Sequence, residues 1–202
     1  MKKIFTPFVF ILLFIFLSAC TKKKEHYITD QRLRNALNLQ DSSYLVYKDS
    51  ASGVVDTVVV EAHTHSIYED RAQGTGDYEF IHVHFRSNND WLLHGFICGQ
   101  YSPWMNTIIA MIKGVYCRVL VLPFNATETA KWHDGVLHTN VAYHESLQVQ
   151  NKHYFHVYET TATSDGFYFR SYMSLESGIV QYSIKKDNEY KTFYLIDAKI
   201  IH

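Results

Sequence analysis

The chain has 202 residues, a formal net charge of −1 and 15% aromatic residues, with only 3 Pro. A charge this close to zero excludes the basic footprint that nucleic-acid binding needs. Because Tyr and Phe favour strands, and because a chain this apolar can bury a core, the composition predicts a folded, strand-rich protein and excludes intrinsic disorder.

The first twenty residues have the pattern of an export and anchoring signal. Two lysines precede residues 8–17 (FVFILLFIFL), an unbroken apolar run of ten residues. This length is typical of a signal peptide, whereas a membrane-spanning helix needs about 20 apolar residues. Residues 17–20 (LSAC) then place a branched apolar residue and two small residues before a thiol. This motif resembles the lipobox of bacterial lipoproteins; the alternatives are a simple secretory signal and an uncleaved membrane helix.

The lipobox resemblance implies that Cys20 is acylated and becomes the first residue of the mature chain. Two or three acyl chains anchor a protein firmly, whereas one binds only marginally. The resemblance also implies the outer membrane, because Thr21 stands where an Asp would retain the protein at the inner membrane. The basic residues 22–24 favour its periplasmic side and anionic headgroups. The implied organisation is a signal peptide over 1–19, a tether over 20–28 and a single β-rich domain over 29–202.

After the tether, the pattern changes from helical to extended. A short helix is predicted over 31–39, because Thr29 and Asp30 offer an N-cap and apolar residues recur on one helical face. Strands are predicted over 44–48 and 54–61. The turn between them is rich in Asp, Ser and Gly, so the two strands are expected to form a hairpin.

The middle of the chain alternates between apolar and polar residues. Residues 78–86 (YEFIHVHFR) place Ile81, Val83 and Phe85 on one strand face and the histidines on the other. Residues 91–98 are the predicted partner strand. The remaining segments of this part are a glycine-containing loop over 71–77, a stretch ambiguous between helix and strand over 107–112, a strand over 115–122 and a polar connection over 125–135.

The final third predicts a meander, a series of strands joined by short turns. Its strands are predicted over 141–150, 153–161, 167–173, 179–185 and 190–201. Connections of about two to five residues join antiparallel neighbours. The fold class predicted for the whole chain is mainly β: an antiparallel meander that forms a curved sheet, a partial barrel or a two-layer sandwich, with one short N-terminal helix.

Two of these stretches carry a second resemblance. Residues 44–58 (YLVYKDSASGVVDTV) combine an aromatic strand, a turn with Asp-Ser and Ser-Gly, and an Asp-Thr strand. Residues 167–195 combine an aromatic strand, a Gly-Ile-Val-Gln-Tyr strand and a final strand rich in Tyr. Together with the lipobox, they resemble uncharacterised lipoproteins of Bacteroidetes-type envelopes. The resemblance implies the location and the β architecture, and it implies no activity.

The unusual feature of the composition is 12 His. His63 and His65 share one face of a predicted strand, and His82 and His84 share one face of another, because side chains alternate along a strand. If these strands pair, four imidazoles could converge on a site that suits Zn²⁺ or Cu²⁺. The alternative is two exposed strand faces that do not meet.

Two cysteines remain after Cys20. Cys98 and Cys117 could lie on neighbouring strands and form a disulfide, since the envelope of many bacteria permits disulfides. The alternative is a pair of buried free thiols, which behave as small apolar side chains.

One further cluster contains residues that could do chemistry. His133, Asp134, His138, His144 and Glu145 could form an acid/base group, but no nucleophile motif accompanies them, so we interpret them as polar loop residues.

The strand over 153–161 should place Tyr154, His156 and Tyr158 on one face and Phe155 and Val157 on the other. We interpret the two faces as a Tyr-rich outer face and a core face, and a Tyr-rich curved sheet could hold an acyl chain or a glycan.

The sequence therefore predicts a non-enzymatic binding module with no catalytic residues and no cofactor. Its predicted partners are the membrane, through acylated Cys20, and an apolar ligand or an envelope protein. The alternatives are a carrier that holds an apolar ligand in a curved-sheet cavity, and a His-rich metal-binding protein or metal-dependent enzyme.

Overall fold

A computed structural model describes residues 25–69, 76–102, 105–122, 130–133, 138–164 and 166–201. These ranges contain one short helix and thirteen strands. In chain order, the elements are β1 (Glu25–Tyr27), α1 (Gln31–Ala36), β2 (Tyr44–Asp49), β3 (Val55–Glu69), β4 (Gly76–Arg86), β5 (Leu93–Ser102), β6 (Met105–Ile112), β7 (Val115–Leu122), β8 (Ala130–His133), β9 (His138–Val149), β10 (Lys152–Ser164), β11 (Phe167–Ser174), β12 (Gly178–Lys186) and β13 (Glu189–Lys199).

The strands form one curved, antiparallel sheet, which confirms the predicted fold class. Its order is β7-β6-β5-β4-β3-β2-β13-β12-β11-β10-β9-β8, and β1 pairs in parallel with the start of β4. Almost every strand therefore pairs with its neighbour in sequence, as a meander requires. The exceptions among the described strands are β1, which pairs with β4, and the pairing of β2 with β13, which joins the two halves of the chain and leaves β7 and β8 at opposite ends of the path.

The sheet rolls over until β7, at one end of the path, packs against β10 and β11. The hydroxyls of Thr160 and Ser171 donate hydrogen bonds to the backbone oxygen of Val119, at 2.9 and 3.3 Å. All three residues are fully buried. These bonds give a backbone carbonyl of the edge strand β7 a partner inside the roll, where an unpaired carbonyl would be costly.

Large side chains fill the space inside the roll. Tyr47 and Tyr182 are fully buried and pack edge to face with ring centroids 5.6 Å apart. Their hydroxyls donate to the backbone oxygens of Ile179 and Trp91, at 2.8 and 2.9 Å. Because each buried hydroxyl has an acceptor, the two rings contribute apolar packing without an unpaired polar atom.

Helix α1 begins where it was predicted and ends earlier. The Asp30 side chain accepts a hydrogen bond from the Arg32 N–H at 2.8 Å, as an N-cap does. The helix stops at Ala36, and Leu37 and Leu39 are both buried. Two residues two positions apart lie about 200° apart around a helix, so a continued helix could not have buried both. The described part of the chain contains no helix with the length and apolar character of a membrane span.

Several strand boundaries differ from the predictions. Strand β3 runs to Glu69 because it pairs with β4 from Val59 opposite Arg86 to Glu69 opposite Asp77. The ambiguous stretch 107–112 belongs to β6. Strand β1 lies in the stretch predicted to be a tether, and β8 lies in the predicted polar connection. Both are strands because they pair with a neighbouring strand, β4 and β9 respectively, and neither has a clear alternation of apolar and polar side chains.

The predicted faces of the strand over 153–161 are wrong at one point. His156 has a positive φ of 52°, which interrupts the alternation of side chains. As a result Val157 and Tyr158 are both buried, while Phe155 is 58% exposed. The Tyr-rich outer face therefore does not form, since Tyr158 belongs to the core.

Candidate functional site

The four histidines of the predicted metal site lie on paired strands but on opposite faces of the sheet. Directly opposed residues of an antiparallel pair share a face. Thr64 opposes His82 and Ala62 opposes His84, whereas His63 opposes Val83 and His65 opposes Ile81.

The four imidazoles therefore do not converge, and the possible metal site at these histidines is not formed. The cause is a one-residue register shift between Val60 and Ala62 on β3. An extra residue in one strand turns every later side chain of that strand to the other face. Without this bulge, His63 would oppose His82. Within the described ranges no group of three or more His, Cys, Asp or Glu side chains could hold a metal ion.

His82 is partly buried, and its Nε2 atom has no hydrogen-bond partner. Burial lowers the pKa of this imidazole, and the neighbouring His84 lowers it further. The ring is therefore neutral at neutral pH.

His65 contacts a carboxylate that the sequence reading did not select. Glu79 on β4 is 6% exposed, and its Oε1 lies 2.7 Å from His65 Nε2. Its Oε2 accepts hydrogen bonds from the backbone N–H of Thr29 at 2.7 Å and from Arg34 Nη2 at 2.6 Å. Glu79 thus joins the N-terminal segment and α1 to β3 and β4.

The surroundings of Glu79 keep it ionised. Burial raises the pKa of the carboxyl, but the donors of Thr29, Arg34 and His65 outweigh burial, so the net pKa is lowered. A carboxylate whose oxygens already accept these hydrogen bonds has a structural role, because it ties several elements together.

The sequence did contain a signal for the burial of Glu79. Its position has the same strand parity as the buried Ile81, Val83 and Phe85, which places it on the core face of β4.

A second charged cluster lies on the other half of the sheet. His144 Nε2 lies 2.9 Å from Glu159 Oε2, and Arg170 Nε donates to Glu159 Oε1 at 2.7 Å. His144 therefore pairs across the strands with Glu159, while Asp134 of the considered acid/base group lies outside the described residues. The guanidinium of Arg170 also lies 5.0 Å from the ring centroid of Tyr172, a cation–π contact.

The two cysteines of the body are free and fully buried. Cys98 is on β5 and Cys117 is on β7, with β6 between them. Strands two places apart are separated by about 9.5 Å, whereas a disulfide needs Cα atoms within about 7 Å. Of the two possibilities left open by the sequence, the disulfide is therefore not formed, and two buried thiols describe the structure.

Burial makes these thiols unreactive. It raises the pKa of Cys117 to about 12, and it raises the pKa of Cys98 with the help of the charges on Glu79 and Asp30. We expect the folded body to react slowly with a thiol reagent at pH 8, because the thiolate is the reactive form. A chain that starts at residue 21 should show two titratable thiols after non-reducing denaturation. A count of zero would contradict the structure.

One surface cleft among the described residues has a volume of about 490 Å³. It lies between the turn that joins β9 to β10 and the strands β2 and β13. We call it the lysine cleft. Its lining residues are Lys48, Ser50, Val149, Gln150, Asn151, Lys152, Tyr194, Leu195 and Ile196.

A second cleft, of about 580 Å³, lies beside the β2–β3 and β12–β13 turns. Its lining includes two carboxylates, Asp49 and Glu189, and one lysine, Lys191. Lys191 Nζ donates to Asp49 Oδ2 at 3.3 Å, so its charge is already engaged. This cleft therefore has mixed charge, unlike the first.

The proposed anchor, Cys20, lies outside the described residues. Comparison with models of known protein families, with characterised proteins and with solved structures finds no match to this chain.

Proposed function

We propose that this protein is a non-enzymatic binding module of a bacterial envelope, anchored to the outer membrane by acyl chains on Cys20 and facing the periplasm. The proposal is supported at its N-terminus by the apolar run over residues 8–17 and the lipobox-like LSAC motif. In the folded body, the proposed binding role is supported by the location of a cleft that could hold a ligand.

The observation that carries the binding role is the contrast between the interior and the surface. Tyr47, Phe169 and Tyr182 are among the fully buried side chains that fill the roll. A ligand held inside would have to displace such side chains, at a cost of several kcal/mol for each large one. The lysine cleft, in contrast, is open and has a volume within the range of small-molecule sites, about 300–1,000 Å³. Binding at the surface is therefore favoured over carriage in an internal cavity.

The anchor is tested by labelling. Cells that express the full chain should incorporate labelled palmitate into this protein, and the Cys20→Ser variant should not. The matched controls are Cys98→Ser and Cys117→Ser, whose thiols are buried in the body and should leave the label unchanged. Label that persists in Cys20→Ser, or that is absent from the unaltered protein, would refute the anchor.

A further inference from the structure

We propose that the lysine cleft binds an amphiphilic anion, a molecule that joins a carboxylate or phosphate group to an apolar chain. This inference rests on the proposed binding role and names the chemical class of its ligand. Three properties of the cleft lead to it: its charge, the way one lysine is held, and its apolar wall.

The charge of the cleft is positive, while that of the whole chain is −1. Lys48 and Lys152 line it, and no carboxylate does. Neither lysine forms an ion pair with any residue in the ranges that the structure describes. Two uncompensated ammonium groups beside a low-dielectric wall concentrate the potential that attracts an anion.

Lys152 is held in place by an irregularity of β13. The register of β13 against β2 shifts between Leu195 and Asp197, so that Ile196 is the extra residue of a bulge. Such a residue is left out of the ladder, and its carbonyl needs another donor. Lys152 Nζ supplies it at 2.9 Å. An ammonium group has three N–H donors, so two remain for a ligand.

The same bulge contributes to an apolar wall. Ile196 is 37% exposed and lines the cleft together with Val149 and Leu195, which belong to the buried core. Ser50, Gln150 and Asn151 add uncharged donors. A small hydrated anion would make no contact with this apolar wall, and a neutral lipid would form no ionic contact with either lysine. A molecule with both parts matches the whole lining.

The cleft is built from ordered elements. β10 begins at Lys152, but its pairing with β11 begins at Val157. The end of the β9–β10 hairpin thus projects beyond β11, and Lys152 in this projecting part reaches β13. Its turn is closed by the antiparallel pair of Val149 and Lys152. Because the wall and the donors belong to paired strands and a tight turn, binding needs little reorganisation.

The test uses a chain that starts at residue 21, since every described strand and every described core residue lies between residues 25 and 201. Titration calorimetry would measure binding of monomeric dodecanoate, dodecyl phosphate, dodecanol and inorganic phosphate. We expect the two amphiphilic anions to bind at least about tenfold more tightly than dodecanol or inorganic phosphate, since hydrogen bonds to charged groups are the strong ones.

The variant is the pair Lys48→Gln and Lys152→Gln, which should weaken binding of both anions at least about tenfold. A variant that combines Lys48→Gln with Lys152→Arg should bind the anions more tightly than the double-glutamine variant, because arginine keeps the positive charge at position 152. The matched control is Lys185→Gln with Lys199→Gln, which removes two exposed lysines away from the cleft. Cooperative thermal unfolding of every variant would show that it is folded.

Equal binding of dodecanol, equal binding of inorganic phosphate, unchanged binding in the Lys48/Lys152 variant, or no binding of any probe would each overturn the proposal. Sedimentation with phosphatidylglycerol vesicles that is lost in that variant would support it with a membrane lipid as the ligand. Binding of monomers without sedimentation would support it with a free amphiphile. None of these results depends on palmitate labelling. The proposed anchor and the proposed ligand site can therefore be refuted independently of each other.

Discussion

Replacement of Tyr182 by alanine should lower the free energy of unfolding by about 3–5 kcal/mol, the typical cost of removing a large aromatic side chain from a core. The ring is fully buried, stacks on Phe193 with centroids 5.1 Å apart and packs against Tyr47. Burial also raises the pKa of its hydroxyl far above the usual value, so the group remains a neutral donor to Trp91.

The conservative variant separates packing from hydrogen bonding. Tyr182→Phe keeps the ring and removes only the bond to the Trp91 carbonyl, so it should cost about 1–2 kcal/mol. Urea denaturation followed by circular dichroism measures both values. A loss below about 1 kcal/mol in Tyr182→Ala would mean that the ring is not in the core. Equal losses in the two variants would mean that the hydroxyl, and not the packing, is the important group.

Replacement of Glu79 by glutamine should cost about 2–3 kcal/mol at pH 7. The change leaves the Arg34 guanidinium without its carboxylate, and breaking a buried ion pair is costly. The expected value lies below that of a fully buried pair because the side chain of Arg34 is 32% exposed and solvent screens part of the interaction. The matched control is Glu61→Gln, whose partner Arg86 is 3.5 Å away in an exposed pair. It should change stability by less than about 0.5 kcal/mol.

The pH dependence gives the Glu79 prediction a second measurement. The pKa of Glu79 is lower in the folded chain than its ordinary value of 4.5. Its contribution to stability is therefore complete above pH 4.5 and is lost as the pH falls through the lowered folded pKa. The difference between the unaltered protein and Glu79→Gln should shrink as the pH falls below that range. A difference that is constant from pH 7 to pH 3 would show that Glu79 is not the carboxylate that titrates.

Sequence alternation was sufficient to predict the fold class and much of the sheet. Ile81, Val83 and Phe85 were expected on one face, and all three are buried. Short turns between apolar strands correctly predicted antiparallel neighbours in the final third. These features follow from local rules, namely the two-residue period of a strand and the length of a tight turn.

The candidate site depended on register, which a single strand does not encode. Each histidine pair was correctly placed on one face of its own strand. Whether the pairs meet depends on the bulge between Val60 and Ala62, and no turn residue marks it in the sequence. The lysine cleft was missed for a related reason. Lys48 and Lys152 are 104 positions apart in the numbering, and only the pairing of β2 with β13 and the reach of the β9–β10 hairpin bring them together.

The pairing of β2 with β13 also orders the events of synthesis. The strands from β2 to β7 are synthesised before β13. Until β13 is present, the edge of β2 that pairs with it has no hydrogen-bonding partner. A bare flank is a template for pairing with another chain, and contacts between distant residues form slowly. Until residues 189–199 pair with β2, the first half of the sheet is therefore open to pairing with another chain.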